Sequence, residues 1–141
     1  MEGCVFCAIA LGEVDDDLVA FRSESVYVIP ALRQRLKNRP HWLVLPMGHV
    51  PNLHDAAPEL LGELVSVVTR LTAGVPRLYR ADGSVVLQNN IEPDGKPFHL
   101  HLHVIPRFAA DGFRDPDPAV AEVPRAQRIA QTADIRTFLA H

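Results

Sequence analysis

Several features are scarce in this chain, and each scarcity excludes something. Cysteine occurs only at positions 4 and 7 of 141 residues. That is too few for a disulfide-stapled framework, and in a reducing compartment such a close pair reads as a metal-binding or redox motif before it reads as a bridge. No stretch approaches the roughly twenty apolar residues of a membrane span, and Met1-Glu2-Gly3-Cys4 has no basic segment leading into an apolar run. The expectation is a cytoplasmic protein with no membrane partner. Positive charge is not in excess either: 14 Lys and Arg stand against 17 Asp and Glu, a formal net charge of -3. Polyanion binding needs clustered basic residues, so nucleic acid is excluded as a partner and any anionic ligand should be small and locally held.

What is present is an ordinary globular composition, 48% hydrophobic and 22% charged, at a length suited to one domain. Leu18 to Phe21 and Ser25 to Ile29 are short, β-branched and aromatic runs separated by Arg22-Ser23-Glu24, and they predict a hairpin. From Ala31 to Pro40 the residues Arg33, Arg35, Lys37 and Arg39 alternate with Gln34, Leu36 and Asn38, which could be an exposed strand edge but reads more naturally as a polar loop, with a phosphate-facing role as its functional reading. His41 to Pro46 is a third strand. Leu60, Leu61, Leu64, Val65, Val68 and Leu71 recur at helical spacing between Pro58 and Gly74 and predict one amphipathic helix. Ser84 to Gln88 and Phe98 to Arg107 form a second strand pair across a turn-rich loop. Prolines at 116 and 118 keep the next segment irregular, and Arg125 to Leu139 predicts a weaker helix at the surface or at a subunit interface. Strands gathered around one long helix indicate an α+β fold with a mainly antiparallel sheet.

The chemistry lies in His99-Leu100-His101-Leu102-His103. On a strand the three imidazoles would share one face, with the leucines on the other, and the outer two would stand about 13 Å apart, too far for one metal ion to hold all three. Two readings remain open on these residues alone. Two adjacent histidines could chelate zinc with ligands from elsewhere. Alternatively the middle imidazole attacks an electrophile while its neighbours hold an anion, an arrangement suited to chemistry at phosphorus.

With its continuation Val104-Ile105-Pro106-Arg107, the motif resembles the signature of the histidine-triad (HIT) family, and the resemblance extends to Cys4 through Ile9 with Gly12-Glu13 and to His41 through His49. It covers residues 1–113, read as a HIT domain, and leaves 114–141 as a C-terminal extension, helical in part. The resemblance implies a five-stranded antiparallel sheet with one long helix, assembled as a homodimer. It implies that His101 attacks the α-phosphate of a nucleotide to form a nucleotidyl-histidine, that His103 contacts phosphoryl oxygens, that Asn89 supplies an amide and that His41 supports the site from behind. Substrates of that type are nucleoside phosphoramidates, dinucleoside polyphosphates and related nucleotidyl conjugates. The bacterial type of this family also implies a structural zinc ion held by Cys4, Cys7, His49 and His99.

Two positions depart from the pattern. Ala31 stands where the family has an Asp that accepts the ribose hydroxyls. Asp94-Gly95-Lys96-Pro97 replaces a Gly-Gln-Ser or Gly-Gln-Thr; Lys96 could stabilise charge on a phosphate or departing oxygen, or could be a solvated loop residue. These departures keep two alternatives open, a nucleotidyl or phosphoryl transferase and a nucleotide-binding module without turnover. A catalytic zinc hydrolase is a third. Retention of His103, where transferase branches carry Gln, favours hydrolysis.

Overall fold

The computed structural model of the chain describes residues 3–91 and 98–140. Helix α1 (Val5–Ala10) is followed by strands β1 (Phe21–Arg22), β2 (Val26–Pro30), β3 (Arg33–Arg35) and β4 (Trp42–Pro46), then by the long helix α2 (Pro58–Tyr79). Strands β5 (Gly83–Gln88), β6 (Leu102–Arg107) and β7 (Val120–Glu122) and helix α3 (Arg125–Leu139) complete the chain. Five strands form one antiparallel sheet in the order β1-β2-β4-β6-β5, and β3 pairs with β7 in a separate two-stranded ribbon. The fold is therefore α+β, as the sequence indicates.

Both faces of the central strands are covered, which is why β2 and β4 read as continuous apolar runs and not as alternating ones. Val26, Val28, Trp42, Val44, Leu102 and Val104 pack on one face against Leu64, Val68 and Leu71 of α2 and Ile135 and Leu139 of α3. On the other face Tyr27, Ile29, Leu43 and Leu45 pack with Ile9 of α1 and with Val19. Register pairs Leu43 with His103, so alternation along β6 sends His103 toward the α1 face while Leu102 and Val104 enter the α2 core.

Local chemistry changes three expectations and adds one helix. The histidine motif is not all strand: β6 begins at Leu102, and residues 98–101 run as irregular backbone tied by Leu100 N–H to the Val50 carbonyl at 2.7 Å. The Cys4 region forms a helix, with the Cys4 sulfur accepting from the Cys7 amide at 3.4 Å as an N-cap. Helix α2 continues through Gly74 and Pro76, because Gly74 serves packing and not termination: a Cβ there would lie 2.5 Å from the Phe138 ring of α3. The supposed polar loop carries β3, and its Gln34 is fully buried, exchanging amide hydrogen bonds with Gln131 of α3 and donating to the Ala31 carbonyl. Helix α3 correspondingly buries Thr132, Ile135 and Leu139 against its own chain.

Candidate active site

The expected single row of three histidines is divided by the start of β6. His103 lies in the strand, and its Nδ1 is 2.8 Å from Nε2 of His41, the residue immediately before β4. His101 stands 4.9 Å from His103, ring centre to ring centre, and is flanked by Phe6 of α1 at 5.4 Å and Phe98 at 5.6 Å. His99 is turned away, almost wholly buried, and faces His49 at 5.2 Å. The sequence motif thus serves two clusters.

Hydrogen bonding fixes the protons. His101 Nδ1 lies 2.8 Å from the His99 carbonyl, which can only accept, so Nδ1 carries the hydrogen and Nε2 carries the lone pair. His99 Nε2 likewise donates to the Pro46 carbonyl at 2.9 Å, which leaves the Nδ1 lone pair facing the sulfurs of Cys4 and Cys7, each 3.5 Å away. In the His41–His103 pair, the buried Nδ1 of His41 has no partner among the described residues. An orphaned N–H costs more than an orphaned lone pair, so His41 carries its proton on Nε2 and donates to His103. His103 then presents an N–H at Nε2. Burial, reinforced by the neighbouring imidazoles, lowers His41 to about 3 and His103 to about 4, so both are neutral near pH 7.

Cys4, Cys7, His49 and His99 bring four ligand atoms within 4.8 Å of one another. Cys7 Sγ is 3.2 Å from His49 Nδ1. A tetrahedral zinc ion with its usual bond lengths separates sulfur from nitrogen by roughly 3.5 Å, so the donor set and its spacing fit that ion. Burial pushes the Cys7 thiol up, with Cys4 adding to it, and pushes His99 down. The neutral imidazole is the ligating form.

Beside Phe6 the α1 face opens into a cavity of about 380 Å³. Its walls are Phe6 and Ile9 of α1, Ile29 and Pro30 of β2, and Leu43 of β4, with Asp15 and Arg128 also lining it. Sequence reasoning did not find Phe98, the cavity or its two charged residues, because each depends on elements distant in sequence. Ala31 is buried between Pro30 and Leu32 and offers no carboxylate. Asn89 is exposed just beyond β5, whose register with β6 ends at Gln88 opposite Leu102 and so directs Asn89 toward the level of His101. Asn90 and Ile91 are tied to the segment before α2: Asn90 accepts from the Leu53 amide, and Asn52 accepts from Ile91. Lys96 lies outside the described residues.

A family model described as the HIT domain matches residues 13–110. The chain is 32% identical over 114 residues to the protein Hit of Bacillus subtilis, covering 79% of this chain and 77% of that one. It is 29% identical to an adenylylsulfatase of Arabidopsis thaliana, with 77% of this chain and 54% of the relative covered. Over 59% of this chain and 46% of the relative it is 31% identical to an asymmetrical bis(5'-nucleosyl)-tetraphosphatase of Schizosaccharomyces pombe. Among solved structures, a hypothetical histidine triad nucleotide-binding protein of Sulfolobus tokodaii superposes with TM-score 0.78 at 28% identity, covering 97% of this chain and 92% of that one. A zinc-bound histidine triad family protein of Mycobacterium smegmatis superposes with TM-score 0.75 at 29% identity, covering 98% and 96%.

Proposed function

Because the chain belongs to the HIT domain family, we propose that it is a nucleotide-binding hydrolase acting through a covalent nucleotidyl intermediate on His101. The observation that carries this reading is the His101 Nδ1 hydrogen bond to the His99 carbonyl, which aims the Nε2 lone pair as the nucleophile. In the first step Nε2 bonds to the α-phosphorus as the bond to the leaving group breaks, which leaves an N-phosphorylated imidazolium that keeps its Nδ1–H, while the leaving group takes its proton from solvent water. In the second, water adds to phosphorus, the P–N bond breaks and a nucleoside monophosphate leaves. His103 donates its Nε2–H to a phosphoryl oxygen, and His41 holds His103 in that tautomer. Asn89 supplies a further amide to the phosphate, and Lys96 stabilises charge on the phosphate or departing group. The base occupies the cavity beside Phe6.

Cys4, Cys7, His49 and His99 would hold a zinc ion. Four protein ligands leave no open position for water, so the ion, when bound, supplies a structural tie. Ligation through Nδ1 would fix His99, whose carbonyl orients His101. The HIT domain spans residues 1–113, and 114–141 is an extension docked on it. Two copies pair through β5, the last strand of the sheet, and α2, which expose Val86 and Val65. The thiols suit a cytoplasmic setting.

The test is a panel of nucleoside phosphoramidates, adenylylated compounds and dinucleoside polyphosphates, wild type against His101→Ala. At least one substrate should be turned over by the wild type and the variant should lose most turnover, on the order of a thousandfold or more. Activity that survives the substitution contradicts the mechanism.

A further inference from the structure

The cavity beside Phe6 is mostly apolar, and two residues of opposite charge are among those that line it. Asp15 comes from the turn after α1, and Arg128 is delivered by α3, from the C-terminal extension. The extension is firmly seated: Arg125 pairs with Asp15 at 2.5 Å and also with Asp17, Arg136 donates to the Val19 carbonyl, and Gln131 exchanges bonds with Gln34. Although they line one small cavity, Asp15 and Arg128 form no ion pair with each other, a statement made of the described residues. The Arg128 side chain makes one hydrogen bond among those residues, from Nε to the Val123 carbonyl at 3.0 Å. That bond fixes the guanidinium and leaves its terminal nitrogens as donors. Asp15 uses Oδ1 toward Arg125, and a carboxylate accepts about four hydrogen bonds, so it too has capacity left.

A carboxylate and a guanidinium set apart in an otherwise apolar cavity call for a flat ligand with a donor edge and an acceptor edge. We propose that this pair reads guanine. The proposal rests on the nucleotide reading above. Guanine places N1–H and its amino group side by side, which suits Asp15, and O6 with N7 side by side, which suits Arg128. Adenine turns a ring lone pair toward the carboxylate beside its amino group, and cytosine offers one amino group only. A site built to hydrogen-bond particular groups rejects analogues that leave those groups unmatched. The C-terminal extension thereby sets base preference on a scaffold that, at Ala31, lacks a carboxylate for the ribose.

Calorimetric titration of the full-length, zinc-loaded protein with GMP, IMP, AMP, CMP and UMP tests this. GMP should bind at least about tenfold more tightly than AMP, CMP or UMP, with IMP, which lacks the amino group, between GMP and AMP. Asp15→Asn should bring GMP and AMP to within about twofold, and Arg128→Gln should weaken GMP about tenfold. Asp17→Asn breaks an Arg125 contact outside the cavity and should preserve the preference. Wild-type GMP and AMP affinities that agree within about twofold, or an Asp15→Asn variant with the wild-type ratio, overturn the proposal. Loss of preference in Asp17→Asn overturns it also, since the effect would then come from the seating of α3. Binding without base discrimination sinks this inference and leaves the nucleotide reading intact; failure of every nucleotide to bind sinks both.

Discussion

His41 and His103 share one hydrogen bond in a buried setting, and neither can take up a proton without losing it or charging the site. Burial, then repulsion from neighbouring imidazoles, holds their folded-state values at about 3 and about 4, below the ordinary 6.5. Unfolded chains therefore bind protons below pH 6.5 that the folded protein does not, so stability is present above 6.5 and falls as pH drops toward about 4. The expected loss is roughly 1–3 kcal/mol for each of the two histidines over that window, read by urea unfolding at about pH 7, 5.5 and 4.5 with chelator present to remove metal release from the signal. His103→Asn should flatten the slope. An unchanged slope would show that the pair is already charged or solvated. At this scale the sequence was informative about which imidazoles matter and uninformative about their division, because the motif's spacing implies one face while the irregular backbone before Leu102 turns His99 toward the cysteines.

Helices α2 and α3 meet where Gly74 faces Phe138. Replacing Gly74 by Ala gains roughly 1 kcal/mol of helix propensity, but the new Cβ would sit 2.5 Å from the ring. Overpacking of that kind costs about 1–3 kcal/mol, so the variant should be net destabilised. The double variant Gly74→Ala, Phe138→Ala should be less destabilised than the sum of the two single variants, because the second substitution removes the clash. Thermal unfolding of all four proteins checks this, and strict additivity would place the cost elsewhere. Elements with strong periodicity were legible: β2, β4, β5, α2 and α3 lie where apolar patterning puts them. Those that arise from pairing partners distant in sequence were not. β3 exists because β7 lies beside it, and Arg33↔Glu122 through Arg35↔Val120 cannot be read from either segment alone. Helix α1 was missed because six residues are too few for a period to show.

On the scale of the whole molecule, the Cys4, Cys7, His49 and His99 cluster joins the N-terminal helix, the end of β4 and the approach to β6, fastening segments up to 95 positions apart. Closing loops of that length by metal ligation contributes stability that chelation removes. Purified protein should contain one zinc per chain. Chelation should lower its thermal midpoint by several degrees, and Cys7→Ser should abolish both the metal and the chelator effect. The ligand set was available from the sequence as a resemblance; the tautomer of His99 that makes it work was not, since it depends on the Pro46 carbonyl.

The central claim is that His101 forms a covalent bond to phosphorus. Rapid quenching of a single turnover into base, which preserves phosphoramidate linkages, followed by digestion and mass spectrometry, tests it most directly. The account predicts a nucleotidyl adduct on His101 that appears and decays at rates consistent with turnover and is absent from His101→Ala. Turnover without any adduct, or an adduct located on another residue, would contradict it.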